Sequence, residues 1–580
     1  MKRTGYKSGG KISKERLYDY SGTAEREETA AFLLDYAARS KEYVSSYWKK
    51  MRRYYDGTHD IRSDTSAFYG SHDLPWIAAQ STDGYVHVET QIDADVPDFE
   101  FSPRDKTDAE KARQREMITK YILDNNDMEY KNSRNERRLG INGSAVWKVC
   151  WDASAGSGFD GDVCIEAPLP EQIYPDPTAA DVDGCEYIGY VYKMHVQKAK
   201  RVFAEDFKAR RTRFEDYISD SGSVMSGALD SESYDSEDDT VTVTEWWFRQ
   251  PKAGSCVIKS EADGKQRSIP YSWESGDIAL SVFINGKEIR YVPKYWRSTS
   301  FKMFPFVIYN RIPNEKSVWG KSELEQIIPL IDAKDRELAY AQRNLAYSAN
   351  DIIVAEENAF SDGEAPDNSP GAVWKLRPGM MGKVQRLGNA ASYSSSLYNG
   401  CSYWKSLIED TTGNFEISQG KEPTSVTTET GIALLNERSQ TRKSLKNIDR
   451  NAGFKRLFML IDATALEYYD DGRIISLGAA ENEIVFKYSE LASDKNGYIP
   501  TVDVIIHTGN VASSSKAYVI STLSALISMN INKDNYVLAK AYIDAINIPQ
   551  RAEINDFLDK RFSGSDQTAA DSLNDIVFKE

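Results

Sequence analysis

The residues from which catalytic chemistry is usually built are scarce. In 580 residues there are five cysteines and five histidines. Cys150, Cys164, Cys185, Cys256 and Cys401 are odd in number, and no two lie within four residues of each other, so neither a zinc ribbon nor a CxxC pair can be written. They read as reduced thiols of a protein made in a reducing cytoplasm. His59, His72, His87, His195 and His507 form neither HxH nor HExxH, which leaves no hydrolytic metal motif. No GxSxG nucleophile turn occurs. Carboxylate pairs such as Asp93/Asp95 and Asp181/Asp183 are what chance supplies in a chain with 88 acids, so they do not argue for a glycosidase or a nuclease. No apolar run approaches the ~20 residues of a membrane span. The basic opening segment leads into no apolar stretch, so no secretory signal is expected. Positive charge is also short. The 72 bases against 88 acids leave a net charge of −16, which disfavours a protein that grips duplex DNA tightly but not one that touches DNA without holding it.

What is present is length, charge and aromatic bulk. A chain of this size exceeds one hydrophobic core, and the usual domain size implies about four packed units. Its 34 tyrosines and 11 tryptophans suit large internal or intersubunit contacts. The patterning predicts an α+β, helix-rich protein. Residues 1–27 read as a flexible arm. Apolar residues at spacings of three and four predict a helix over 28–55 that stops at Asp56-Gly57. A second helix is expected over 107–130, with Val86, Val88 and Val96–Phe101 strand-like between them. Gly143–Asp152 and Asp162–Glu166 read as a hairpin, and Pro170–Pro177 as an extended connector. A basic helix is expected over 196–218, then an acidic loop with seven acids and no base from Asp220 to Asp239. Residues 240–312 read as strands, including a hairpin turned by Asn285-Gly286, the dipeptide that a type I′ turn favours.

Two long helices follow. One covers 321–350, with Ser322 as its cap and Pro329 in its first turns. The other covers 431–469. Between them stand short strands over 351–390, a helix near 394–410 and a loop, 411–430, long enough to be functional. Lys421 is the one base between Thr411 and Glu429, beside Gln419, Gly420 and Pro423. On the second long helix Arg438, Arg442, Lys446 and Arg450 recur every fourth residue and form one stripe. That stripe is either a solvated or intersubunit face or a phosphate-facing one. Gly320-Lys321-Ser322 stands before the first long helix. A phosphate loop would need a further glycine where Glu315 stands, so these residues read as a turn and helix start.

The order of several motifs resembles the portal proteins of tailed bacteriophages. They are Tyr47-Trp48 followed by Tyr54-Tyr55-Asp56-Gly57; Gly143–Asp152; Pro170–Pro177; the run Ile312-Pro313-Asn314 … Val318-Trp319-Gly320-Lys321-Ser322-Glu323-Leu324 into a helix with Ile331-Asp332-Ala333 and Asn344; Gly413; and Thr430-Gly431-Ile432-Ala433-Leu434. The resemblance implies a homo-oligomeric ring, usually of twelve subunits, with wing, stem, clip and crown, seated at one capsid vertex of a virion assembled in the host cytoplasm. It implies a channel through which double-stranded genomic DNA is packaged and ejected. The implied partners are the terminase large subunit, the major capsid protein, the scaffolding protein and neck or tail adaptor proteins, with no membrane, cofactor, metal or catalytic residue. Its parts would be wing over 28–195 and 351–410; a stem-entering helix and acidic loop over 196–239; clip over 240–316; stem helix over 317–350; tunnel loop over 411–430; the helix behind it over 431–469; a wing–crown connection over 470–511; and a helical crown with a polar tail over 512–580. Gln419, Gly420 and Lys421 would face the channel, and Arg438, Arg442, Lys446 and Arg450 would lie near DNA or a subunit seam. The competing readings are a terminase-like ATPase–nuclease, against which Glu315 argues, and an acidic carbohydrate-active hydrolase, which would need a secretion route.

Overall fold

The structure is a computed structural model and describes residues 20, 22–59, 82–104, 108–153, 155, 161–218, 240–262, 265–297, 301–349, 352–356, 359–360, 375–387, 395–413, 429–469, 473–476, 483–485, 502–506, 554 and 558. In chain order it opens with α1 (Thr23–Asp56), α2 (Asp83–Glu89), β1 (Phe99–Pro103), α3 (Ala109–Asn125), α4 (Met128–Asn142), β2 (Ser144–Asp152) and β3 (Asp162–Glu166). Next come β4 (Ile173–Pro175), β5 (Tyr187–His195), α5 (Val196–Val202), α6 (Ala204–Arg210), α7 (Glu215–Ile218), β6 (Thr240–Arg249), β7 (Gly254–Ala262), β8 (Lys265–Trp273), β9 (Ile278–Ile284), β10 (Lys287–Val292) and β11 (Phe306–Asn310). The chain continues through α8 (Leu324–Ala349), β12 (Ile352–Ala355), β13 (Val384–Leu387), α9 (Ser395–Thr412), α10 (Glu429–Tyr468), β14 (Ile474–Ser476), β15 (Glu483–Val485) and β16 (Val502–Ile506). Helix and sheet are mixed, as expected of an α+β protein. Among the described residues no helix is long and apolar enough to cross a membrane. The chain divides into two compact units: residues 1–94, 130–148 and 165–435, and residues 95–129, 149–164 and 436–580.

The first unit is organised by an antiparallel sheet of order β10-β9-β6-β5-β4. β5 and β6 pair over their whole length, from Tyr187 opposite Phe248 to His195 opposite Thr240. Alternation along these strands turns Tyr187, Val191, Trp246, Phe248, Ala279 and Phe283 to one face, where Ala30, Leu34 and Ala37 of α1 cover them. Gly189 makes this contact close, because a Cβ there would stand 2.1 Å from the Leu34 side chain. Asn285 and Gly286 both have positive φ, 48° and 85°, which the turn between β9 and β10 requires. α1 stops at Gly57, whose φ of 67° puts it in the left-handed region.

One buried charge cluster pins α1 to the sheet. Arg26 donates to both Glu288 oxygens, at 2.6 and 2.9 Å, and Arg210 and Ser281 add bonds of 2.7 and 2.6 Å. Burial alone would raise the Glu288 carboxyl, but these donors offset it and hold it below the usual carboxylate range. Further along α1, the buried Lys41 ammonium donates to the carbonyls of Pro170, Glu171 and Ile173, at 2.6, 2.9 and 2.5 Å. It also lies 4.3 Å from the Tyr174 ring centre. The Ser144–Lys148 half of β2 pairs antiparallel with β11.

The second unit is built on the C-terminal half of α10. Phe454, Leu457, Phe458, Leu460, Ile461, Ala463 and Leu466 are all buried, so the helix is covered on most of its circumference. β1 pairs antiparallel with β16, from Phe99 opposite Ile506 to Pro103 opposite Val502. Phe99 stacks on Phe458 at 4.0 Å. α3 contributes Arg115, whose Nε donates to Asp462 at 2.9 Å with both side chains buried. The adjacency of β2 and β3 in their sheet brings the half-buried Cys150 and Cys164 sulfurs within 4.8 Å.

Three expectations of secondary structure are corrected. Val86 and Val88 lie in α2, not in a strand. The residues α2 buries are Gly84, His87 and Val88, a helical spacing, while Val86 is exposed. The helix expected over 107–130 ends at Asn125. Asp127 takes a φ of 48°, the Asn126 side chain bonds the carbonyls of Ile122 and Val163, and a further helix, α4, begins at Met128. The basic helix over 196–218 is three short helices, interrupted at Phe203 and at Arg211, whose φ is 55°. β6, at the start of the expected clip, shares a sheet with β5, at the end of the expected wing. The helices expected over 512–561 lie outside the described residues apart from residues 554 and 558.

Candidate functional site

The constructed features are the buried roots of the two long helices. α8 is rooted in the first unit by an aliphatic cluster and a chain of polar contacts. Leu324, Ile327, Ile328 and Ile331 recur at helical spacing and pack with Met51, Tyr54, Val88, Ile141 and Ile408. One turn on, Asp332 accepts from the Tyr54 hydroxyl at 2.7 Å, and Asp335 lies 2.8 Å from His59 Nε2, both side chains buried. The His59 ring stacks on Tyr54 with centres 4.4 Å apart. Just before the helix Glu323 accepts from Arg311 Nε at 2.8 Å and faces His87 Nε2 at 3.1 Å, while Arg311 also reaches Gln91. Farther along, Glu337 accepts from Trp404 of α9 at 2.6 Å. Two histidines that could have suggested a metal centre are thus each held by a carboxylate in a helix root.

Gly320-Lys321-Ser322 is the turn that starts this helix. The Gly320 amide donates to Ser144 Oγ and Asn310 Oδ1, the Lys321 amide to the Ile312 carbonyl, and the Ser322 amide to the Tyr47 hydroxyl. A phosphate cradle depends on such amides being free, and here each has a protein partner. Ser322 Oγ accepts from the Leu324 amide at 3.1 Å, as a cap should, and donates to the Gly140 carbonyl. Burial raises the Tyr47 phenol far above its ordinary range, so it remains a neutral donor and acceptor. Lys321 itself is exposed and stands 3.5 Å from Glu325.

α10 is rooted in the second unit by contrasting chemistry, a thick apolar collar with the Arg115–Asp462 pair set in it. Arg450, expected on a stripe facing phosphate or a neighbouring subunit, departs from that reading. It is 3 % exposed, donates to the Asp95 carbonyl and lies over the Phe454 ring at 5.0 Å. Its position on the helix was legible in the spacing, but its burial depends on residues more than three hundred positions away. The side chains of Arg438, Arg442 and Lys446, and all of Gln419, Gly420 and Lys421, lie outside the described residues. The buried pairs were not found from the sequence, since Arg115 and Asp462 carry no local signal of each other.

The described residues thus hold two long helices by their buried roots. The chain belongs to the phage P22-like portal proteins: that family's sequence model matches residues 87–574. It is a portal protein of the phage capsid, the head–tail connector used in genome packaging, and the family is structural and non-enzymatic. No curated protein matches the chain.

Proposed function

We propose that the chain assembles into a closed ring, usually of twelve copies in this family, at one capsid vertex. Its channel passes double-stranded DNA inward during packaging and outward at ejection. The observation that carries this reading is the family match over residues 87–574. The rooted helices are compatible with it, since identical subunits joined by heterologous contacts close into a ring when the rotation per subunit closes. A net charge of −16 suits a conduit, because a strongly basic lining would trap DNA through counterion release.

In this reading α8 is the stem helix, 411–430 the tunnel loop with Gln419, Gly420 and Lys421 toward DNA, α10 the helix behind it, and 512–580 the crown and tail. Arg438, Arg442 and Lys446 remain our choice for charge near DNA or a subunit seam. We narrow the clip within 240–316 toward β7 and β8, which form a two-stranded sheet of their own, while β6, β9 and β10 share the sheet of β5. The clip would dock the terminase large subunit, whose ATP hydrolysis drives packaging, and later the neck or tail adaptors. Major capsid and scaffolding proteins would meet the wing. Light scattering on the purified chain tests the assembly. A mass near twelve times 65.4 kDa is expected, and a monomer at all concentrations would overturn the ring.

A further inference from the structure

The chain is acidic as a whole, yet one stretch of its surface has the opposite sign. The C-terminal turns of α1 read Lys49-Lys50-Met51-Arg52-Arg53, and Lys50, Arg52 and Arg53 are exposed while Met51 enters the core. α4 adds Arg134, exposed, and Arg138, half-buried, one turn apart. The two helices are tied by the Trp48 indole, which donates to the Asn142 carbonyl at 2.8 Å. Arg52 stands one turn beyond Trp48, and Arg138 one turn before Asn142. The Arg138 guanidinium is held below its ordinary range, by burial first, then by its positive neighbours Arg134 and Arg52, with Glu171 pulling the other way. Its Nη1 donates to the Ala167 and Pro168 carbonyls.

Crowded cations of this kind are usually neutralised by carboxylates, as Arg137 is by Glu89 at 2.9 Å. Among the described residues no ion pair is formed by Lys50, Arg52, Arg53 or Arg134. Asp56, one turn past Arg52, and Glu171 are the acids beside the patch. Holding like charges together without counter-charges disfavours the compact state, so the arrangement fits a site whose counter-charge comes from outside. Several exposed guanidinium and ammonium groups within two helix turns suit a run of phosphates, which arginine binds in bidentate fashion.

We propose that Lys50, Arg52, Arg53 and Arg134 form a phosphate-contacting surface for duplex DNA, distinct from the tunnel loop and from the stripe on α10. The choice of DNA over other polyanions rests on the portal reading, whereas the patch itself does not. Because the contacts are to backbone phosphate, the surface discriminates no sequence and weakens steeply with salt.

The test is anisotropy of a labelled mixed-sequence duplex with the full-length protein between 50 and 200 mM salt. The variant Lys50→Gln/Arg52→Gln/Arg53→Gln/Arg134→Gln is compared with wild type and with a control at two other exposed lysines, Lys193→Gln/Lys198→Gln. About one unit of log–log salt slope accompanies each phosphate that a cation neutralises, so the slope should flatten by about three to four in the fourfold variant. Low-salt affinity should fall at least tenfold, with the control unchanged. Unchanged slope and affinity would overturn the proposal. So would failure of the duplex to bind wild type while labelled polyglutamate binds wild type and not the fourfold variant, which would assign the patch to an acidic protein segment. If the fourfold variant does not fold, acetylation footprinting of wild type decides instead. Duplex should protect Lys50, and equal labelling with and without DNA would refute the contact. Light scattering of the same samples keeps the two readings apart, because loss of the ring in wild type would sink the portal assembly and leave the DNA result standing.

Discussion

The two long helices are held by different means. The root of α8 combines four aliphatic side chains with a series of carboxylates, each matched to a tyrosine, histidine or arginine. The root of α10 is an apolar collar of phenylalanine, leucine and isoleucine with the Arg115–Asp462 pair set in it. In the first, hydrogen-bonding geometry fixes the direction of the helix, and polar groups share the load. In the second, packing holds the helix, and its buried ions would be costly if separated. The contrast teaches that similar helices can fail differently: α10 to truncation or to loss of one ionic partner, α8 to loss of its bonding pattern.

Substitutions can break this comparison in order of expected size. Asp462→Ala should have the largest effect, since it strands a buried guanidinium at a cost of about 3–5 kcal/mol. Hydrogen exchange in α3 and the second half of α10 should rise steeply, while peptides of α8 keep their protection. Equal loss in both helices would erase the distinction. Glu323→Ala should cost less, about 2–3 kcal/mol, because Arg311 keeps Gln91 and the site lies nearer to solvent. Its effect should be confined to peptides of α8, α2 and the segment around Arg311, and exchange unchanged there would mean the root is purely apolar.

Acid should come next. The Glu288 carboxyl is held below the usual carboxylate range, so its contribution is present above about pH 4.5 and fades as pH falls from there through its folded value, where the unfolded chain binds the proton first. Exchange in α1 and β10 should therefore accelerate on acidification. Glu288→Gln should remove much of that pH dependence, and a variant with the wild-type profile would exclude Glu288 as its source. Lys321→Ala should do least, under about 0.5 kcal/mol, with no change in nucleotide binding. Loss of measurable ATP binding in this variant would refute the reading of Gly320-Lys321-Ser322 as a helix start.

Much of the framework was legible because it is local. Gly57 ends α1, Asn285-Gly286 turns β9 into β10, Ser322 caps α8, and α8 follows an apolar spacing. What stayed hidden is set by distant partners. The pattern at Val86 and Val88 passes for a strand until His87 is seen facing Glu323, and the break between α3 and α4 falls where the Asn126 side chain meets the Val163 carbonyl. Arg450 looked like surface charge until Asp95 and Phe454 enclosed it. The family's order of motifs was readable across the chain, whereas the residues expected to meet DNA near 419–421 and 438–446 stand outside the described side chains. The basic end of α1 was read only as one end of an amphipathic helix, since the arginines that complete the patch come from α4.

Electron micrographs of the purified full-length chain test the central claim most directly. The expected result is a rotationally symmetric particle of about twelve copies around an open axial channel wide enough for duplex DNA. A solid particle, or single 65.4 kDa copies with no opening, would contradict it.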